Sequence, residues 1–111
     1  MKDNYMNWYE HLYVGERISQ DAGQIREQIE AGNYSRRVWL ILLSSNGTDL
    51  FDIRPAPDLG KEYFREQEMY VIGLAKNRDE AVSLIPQIAA DYLSDGAVSR
   101  YIGEIRRSFR D

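Results

Sequence analysis

The sequence predicts an α+β domain: a small mixed sheet of three or four strands containing one β-hairpin, covered by helices, with two C-terminal helices. Three observations lead there. Val38–Leu43 and Met69–Ala75 are short runs that are apolar on both alternating faces, as strands buried on both sides of a sheet are. Asn46-Gly47, between the first run and Asp49–Pro55, tolerates the positive φ angles of a tight hairpin turn. Beyond Asn77 the apolar spacing changes from alternation to the helical period.

Taken in order, Leu12-Tyr13-Val14 opens a short strand over Leu12–Ile18, and Tyr5–Tyr9 before it forms a turn of helix or an arm. Asp21 with Gln24 makes a capping pair, Ala22, Ile25 and Ile29 recur on one stripe, and Gly32-Asn33 supplies the stop of a helix over Asp21–Ala31. The strand Asp49–Pro55 sets Phe51 and Ile53 against Leu50, Asp52 and Arg54, and Pro55 and Pro57 end it, which suits a sheet edge. Asp58–Glu68 reads as a short charged helix with Leu59, Tyr63 and Phe64 inward. In Met69–Ala75 the faces are Met69, Val71 and Ala75 against Tyr70, Ile72 and Leu74, with Gly73 marking a bulge or a close backbone approach. Asn77 and Glu80 form a second capping pair, opening a helix with Ala81, Leu84, Ile85, Ile88, Ala89, Tyr92 and Leu93 on one stripe. Pro86 inside it predicts a kink or a division. Residues 97–111 form an amphipathic helix with Val98, Tyr101, Ile102, Ile105 and Phe109 on one face. The order resembles that of the ferredoxin-like fold. There, however, the strand after the hairpin is central, and here it is half polar. Central Val38 and Met69 strands with the Asp49 strand at an edge fit the hydrophobicity better.

Length and composition bound the function. One domain fits 111 residues, residues 1–11 being its possible aromatic arm. There is no cysteine, so disulfides, thiolate metal sites and a cysteine nucleophile are excluded, and the chain reads as cytoplasmic. The N-terminal stretch lacks the apolar run of a signal peptide, and no run is long enough to span a bilayer. The net charge of −4 argues against nucleic acid and against a membrane surface as partners.

The segments LLSSNGTDLFDI and EYFREQEMYVIGLAKNRDEAVSLI put a hairpin, a charged spacer and a buried strand running into a capped helix in succession. Over Leu12–Leu93 this pattern resembles that of a group of small α+β proteins of anaerobic Gram-positive bacteria. The resemblance implies no activity and supplies no catalytic residues.

Chemistry-bearing constellations are sparse. His11 is the sole histidine, no nucleophile elbow accompanies it, and no metal-ligand spacing surrounds it. No catalytic residue, metal or cofactor is therefore assigned. The junction of strand 69–75 and helix 77–94 is a candidate for a small molecule or an anion, with Arg54, Tyr63, Tyr70, Lys76 and Arg78 as its residues, although the glycines of a phosphate loop are missing. Tyr5, Trp8, Tyr9, Tyr101, Ile105 and Phe109 are candidates for a protein interface, because aromatic side chains supply contact area at low entropic cost. Asp91 and Asp95 near a helix C-terminus predict that the arginines of the last helix fold back onto them; docking of that helix on an acidic partner or on nucleic acid are the other readings. The expected function is a non-enzymatic protein-interaction or regulatory module acting as a homo-oligomer or on another protein. The second reading is a small-molecule or anion-binding protein or enzyme.

Overall fold

The computed structural model describes residues 5–34, 37–44, 49–61 and 68–109. Four strands, β1 (Tyr5–Val14), β2 (Trp39–Leu43), β3 (Phe51–Pro55) and β4 (Glu68–Ala75), form one mixed sheet in the order β1-β4-β2-β3. β4 runs parallel to β1 and antiparallel to β2, and β2 pairs antiparallel with β3. The two doubly apolar runs are the two central strands, and the half-polar β3 lies at an edge. Among the described residues three helices cover the sheet: α1 (Ala22–Glu30), α2 (Arg78–Ser94) and α3 (Gly96–Ser108). The domain is therefore α+β, with two C-terminal helices. Among the described residues no helix is long and apolar enough to cross a membrane.

The sheet divides the core in two. On one side Ile25 and Ile29 of α1 pack with Leu40, Leu42, Met69, Val71 and Leu74. On the other, Ala81 and Ile88 of α2 and Val98, Ile102 and Ile105 of α3 pack with Ile41, Leu43, Ile72 and Ala75. Alternation along β2 and β4 feeds both clusters, which is why neither strand carries a polar face.

β4 is irregular at Gly73. Ile41 pairs with Gly73 and Leu42 with Val71, so Ile72 has no partner on β2. This extra residue reverses the facing of the last two residues of the strand. Leu74 joins Met69 and Val71 on the α1 side, and Ala75 joins Tyr70 and Ile72 on the α2–α3 side. Strict alternation predicts the two exchanged. A Cβ on Gly73 would lie 2.8 Å from Ile41 Cδ1 and 3.1 Å from the Tyr13 carbonyl oxygen. Both readings of this glycine, bulge and close approach, hold at once.

β1 differs most from its sequence reading. It spans ten residues in place of a short strand beginning at Leu12, so the segment read as a helical turn or arm is part of the sheet. Residues 16–18, read as the end of that strand, form a 3₁₀ turn. Four residues, Tyr9 to Leu12, intervene between the Trp8–Val71 and Tyr13–Gly73 pairs, where β4 has one. Two β residues span only about 6–7 Å, so Tyr9–Leu12 must bow away from β4.

Smaller departures have local causes. Asp21 makes no side-chain cap to α1, because it sits in a helix-like conformation (φ −102°, ψ 0°) rather than an extended one. The α1 stop is as read: Gly32 has φ +87°, which favours glycine. Residues 56–60 form a 3₁₀ turn whose Ala56 and Leu59 enter the α1-side core. The rest of the charged segment, with Tyr63 and Phe64, lies outside the described residues, as does Asn46-Gly47. Pro86 does not divide α2. Leu93, assigned to its apolar stripe, is 85% exposed. Leu50, assigned with Asp52 and Arg54, packs on the α2–α3 side.

The close approach at Gly73 sets a first prediction. Gly73→Ala forces a methyl against Ile41 and the Tyr13 carbonyl, and overpacking of this kind costs about 1–3 kcal/mol. Thermal unfolding followed by circular dichroism is expected to show a midpoint lowered by roughly 4 °C or more. An unchanged midpoint would contradict the packing described.

Candidate interaction site

The bowed segment of β1 carries aromatic side chains into the α2–α3 side of the sheet. Tyr9 is 6% exposed and meets Tyr101 of α3 at 4.5 Å between ring centroids. Tyr13 stacks on Tyr9 at 6.2 Å, and His11 meets Tyr9 edge-on at 5.9 Å. Tyr70 and Phe109 form an edge-to-face pair at 5.7 Å. At the tip of the bow, Glu10 and His11 are exposed.

Carboxylates surround these phenols. Tyr13 Oη donates to Asp91 Oδ2 at 2.5 Å, and Gln87 Nε2 donates to Asp91 Oδ1 at 2.9 Å. Burial, then Asp95, Asp91 and Glu10, push the Tyr9 hydroxyl above its ordinary pKa. Burial and the bond to Asp91 raise that of Tyr13. Burial and the bond to Glu68 raise Tyr70. Burial, then the neighbouring Tyr70 and Tyr9, push Tyr101 up to about 12. All four are neutral near pH 7 and can donate hydrogen bonds. A tyrosine serving as a base or nucleophile needs a pKa brought down towards the working pH, and this setting drives it the other way.

The turn that follows β1 is tied to α2 by Glu80. Asn77 Oδ1 accepts from the Glu80 N–H at 2.8 Å, half of the capping pair read from sequence. The Glu80 carboxylate does not return to Asn77. It accepts from the Lys76 N–H at 2.7 Å and from the Arg17 N–H at 3.2 Å. A Cβ on Gly15 would collide with Glu80 Oε1, so only glycine leaves the carboxylate its seat. Of the first-turn donors of α2, the Glu80 N–H is thus capped by Asn77, while the Glu80 carboxylate holds the N–H of Lys76 just before the helix.

The residues proposed for a small-molecule site are not brought together. Arg54 pairs across β2 with Leu40, whose side chain lies in the α1-side core, whereas Tyr70 lies on the α2–α3 side. Arg54 is engaged by Asp52 at 3.0 Å and by Asp58 at 3.9 Å. Lys76 and Arg78 lie where β4 runs into α2, Arg54 lies on β3 two strands away, and Tyr63 lies outside the described residues. Among the described residues no three of His, Asp and Glu converge in a way that could hold a metal ion.

The interface candidates separate in another way. Tyr101, Ile105 and Phe109 belong to the apolar face of α3, which rests on its own sheet, and Tyr9 is buried with them. The fold-back of the α3 arginines onto Asp91 and Asp95 is replaced by other contacts among the described residues. Arg106 Nη1 donates to the Asp49 carbonyl at 2.9 Å. Asp95 accepts from the Ala97 N–H at 2.9 Å, capping α3. An acid that is unfavourable at the end of α2 is favourable at the start of the next helix. Tyr5 and Trp8 remain on the edge strand. Trp8 is half-buried under the Arg26 guanidinium, 5.1 Å from its ring centroid, and its buried Nε1 has no hydrogen-bond partner among the described residues.

β1 is an edge strand, and among the described residues no strand or loop bonds the outer side of Tyr5–Trp8. That stretch contains neither a charge nor a proline. The other edge, β3, has five residues, carries the Asp52–Arg54 ion pair and ends in Pro55, the usual guards of an exposed edge. Sequence reasoning misses the edge because it cuts β1 short. The alternation of Met6 and Trp8 with Asn7 is the available signal. Comparison with protein-family models, curated proteins and solved structures returned no match.

The polar contacts set two predictions. Gly15→Ala and Glu80→Ala each remove the same pair of charge-assisted bonds and are expected to cost about 1–2 kcal/mol. Because they act on one contact, the double variant is expected to cost little more than either alone in urea titrations; full additivity would contradict the shared seat. The raised phenols set an alkaline limit. Their folded pKa values lie above the unfolded value of 10.0, so their contribution to stability is complete below about pH 10 and is lost as pH rises towards 12. Tyrosinate absorbance is expected to lag behind that of free tyrosine between pH 10 and 12, and the lag is expected to vanish in denaturant.

Proposed function

We propose that the chain is a non-enzymatic protein-interaction module that works as a homo-oligomer and offers the outer edge of β1 to its partner. One observation carries the reading: an edge segment, Tyr5–Trp8, whose outer side has no partner among the described residues and which lacks the charges and prolines that guard β3. An unguarded edge presents a row of N–H and C=O groups that another strand can complete. The tyrosine cluster supports the non-enzymatic part, since its hydroxyls are held neutral beside carboxylates. The enclosure of the α3 apolar face within its own subunit moves the expected contact from the C-terminal helix to β1. The lack of cysteine in the sequence supports a cytoplasmic setting.

Sedimentation velocity across micromolar to near-millimolar protein tests the reading. A species larger than one 12.9 kDa subunit is expected, its fraction rising with concentration. A single subunit throughout the range would overturn the homo-oligomer.

A further inference from the structure

We infer that the strand completing this edge is β1 of a second copy, running antiparallel to the first with Asn7 on the two-fold axis, so that two four-stranded sheets join into one of eight strands. The inference rests on the homo-oligomer proposal and adds partner, direction and register to it.

Symmetry restricts the choice first. Joining two copies through one edge in a closed pair requires a two-fold axis normal to the sheet. That operation makes the touching strands antiparallel and keeps the α1 sides of both sheets on one side. Residues facing each other across the junction must then share a face, so Met6 and Trp8 meet only even-numbered positions near them. The two edges of different kind make a poor pair, since β3 brings Pro55 and the Asp52–Arg54 ion pair to the contact.

The bow in β1 restricts it further. Regular pairing with β4 breaks after Trp8 and resumes at Tyr13, and Tyr9–Leu12 bow out between them. A long foreign strand would run into this obstruction. A second copy placed antiparallel has an edge segment of equal length, and its own bow begins opposite Tyr5 of the first copy, leaving Met6–Trp8 of each to pair. The two bows then frame the junction instead of colliding.

Side-chain chemistry selects the register. With Met6 on the axis the two thioethers meet and no described residue faces Trp8. With Trp8 on the axis the two indoles meet, and Met6 falls opposite the bow that carries Glu10. With Asn7 on the axis, Met6 of each copy faces Trp8 of the other. Met6 and Trp8 are half-buried and pack at the rim of the α1-side core. The reciprocal thioether–indole contacts, favourable in themselves, would extend that core across the junction with no charge buried.

The lack of cysteine makes the test direct, because a single introduced thiol is the only one in the chain. Full-length Asn7→Cys, mildly oxidised at concentrations where the wild type is dimeric, is expected to link to itself in high yield. Met6→Cys and Trp8→Cys are each expected to link poorly alone and well when mixed. Amide exchange of the wild type supplies a readout that needs no variant: the amides of Tyr5–Trp8 that point away from β4 are expected to slow as concentration rises. Self-linking of Met6→Cys or Trp8→Cys in place of Asn7→Cys would overturn the register. A dimer whose Tyr5–Trp8 amides exchange as in the dilute monomer would overturn pairing through this edge and leave oligomerisation intact. A monomer at every concentration would overturn the inference and the homo-oligomer together.

Discussion

β4 has no free side, and the rest of the molecule is arranged around that. Strands flank it on both edges, and every residue from Val71 to Ala75 is buried. A strand enclosed in this way leaves no room for side-chain adjustment, so any mismatch between its neighbours must be absorbed by the backbone. Gly73 is where that happens. Without a Cβ, the Ile41 side chain and the Tyr13 carbonyl close in from the two flanking strands. The extra residue beside it turns Leu74 towards α1 and Ala75 towards α2 and α3. Packing on both sides of the sheet therefore depends on one position of one strand.

The same irregularity has its counterpart on β1, where the bow sends Tyr9 into the helix pair and Leu12 towards α1. Two polar contacts then hold β1 and its turn against α2. Near the start of α2 the Glu80 carboxylate takes the Arg17 and Lys76 N–H groups, and near its end Asp91 takes the Tyr13 hydroxyl. Asp95 closes α2 and caps α3, so the last helix is directed back onto the sheet. The C-terminal helix is thus part of the core, and the N-terminal strand is left at the boundary with solvent.

Much of the fold is legible from local patterns. Val38–Leu43 and Met69–Ala75 read as doubly buried strands because both alternating faces are apolar, and a protein this small has few central positions for such runs. Phe51–Pro55 reads as an edge because a proline closes a half-polar strand. The Asn77 cap and the helical stripe of Ala81 and Ile88 place α2. The site is less legible. Arg54, Tyr70 and Lys76 group together by proximity in sequence, whereas the pleat puts Arg54 and Tyr70 on opposite sides of the sheet. The apolar face of Tyr101, Ile105 and Phe109 announces burial, and a helical stripe looks the same whether its cover is another subunit or its own sheet.

The sequence by itself determined the class of fold, the two central strands, the capped start of α2 and the lack of thiol chemistry, because each depends on residue type and spacing along a few turns of chain. Only the tertiary structure decided the length of β1, the facing of Leu74 and Ala75, the seat of the Glu80 carboxylate against Gly15 and the covering of α3. Each of these depends on which distant segment lies alongside: Tyr13 against Gly73, Arg17 against Glu80, α3 against the sheet. Neighbours of that kind leave no periodic mark on either segment, since it is the joint packing of the two that specifies the contact.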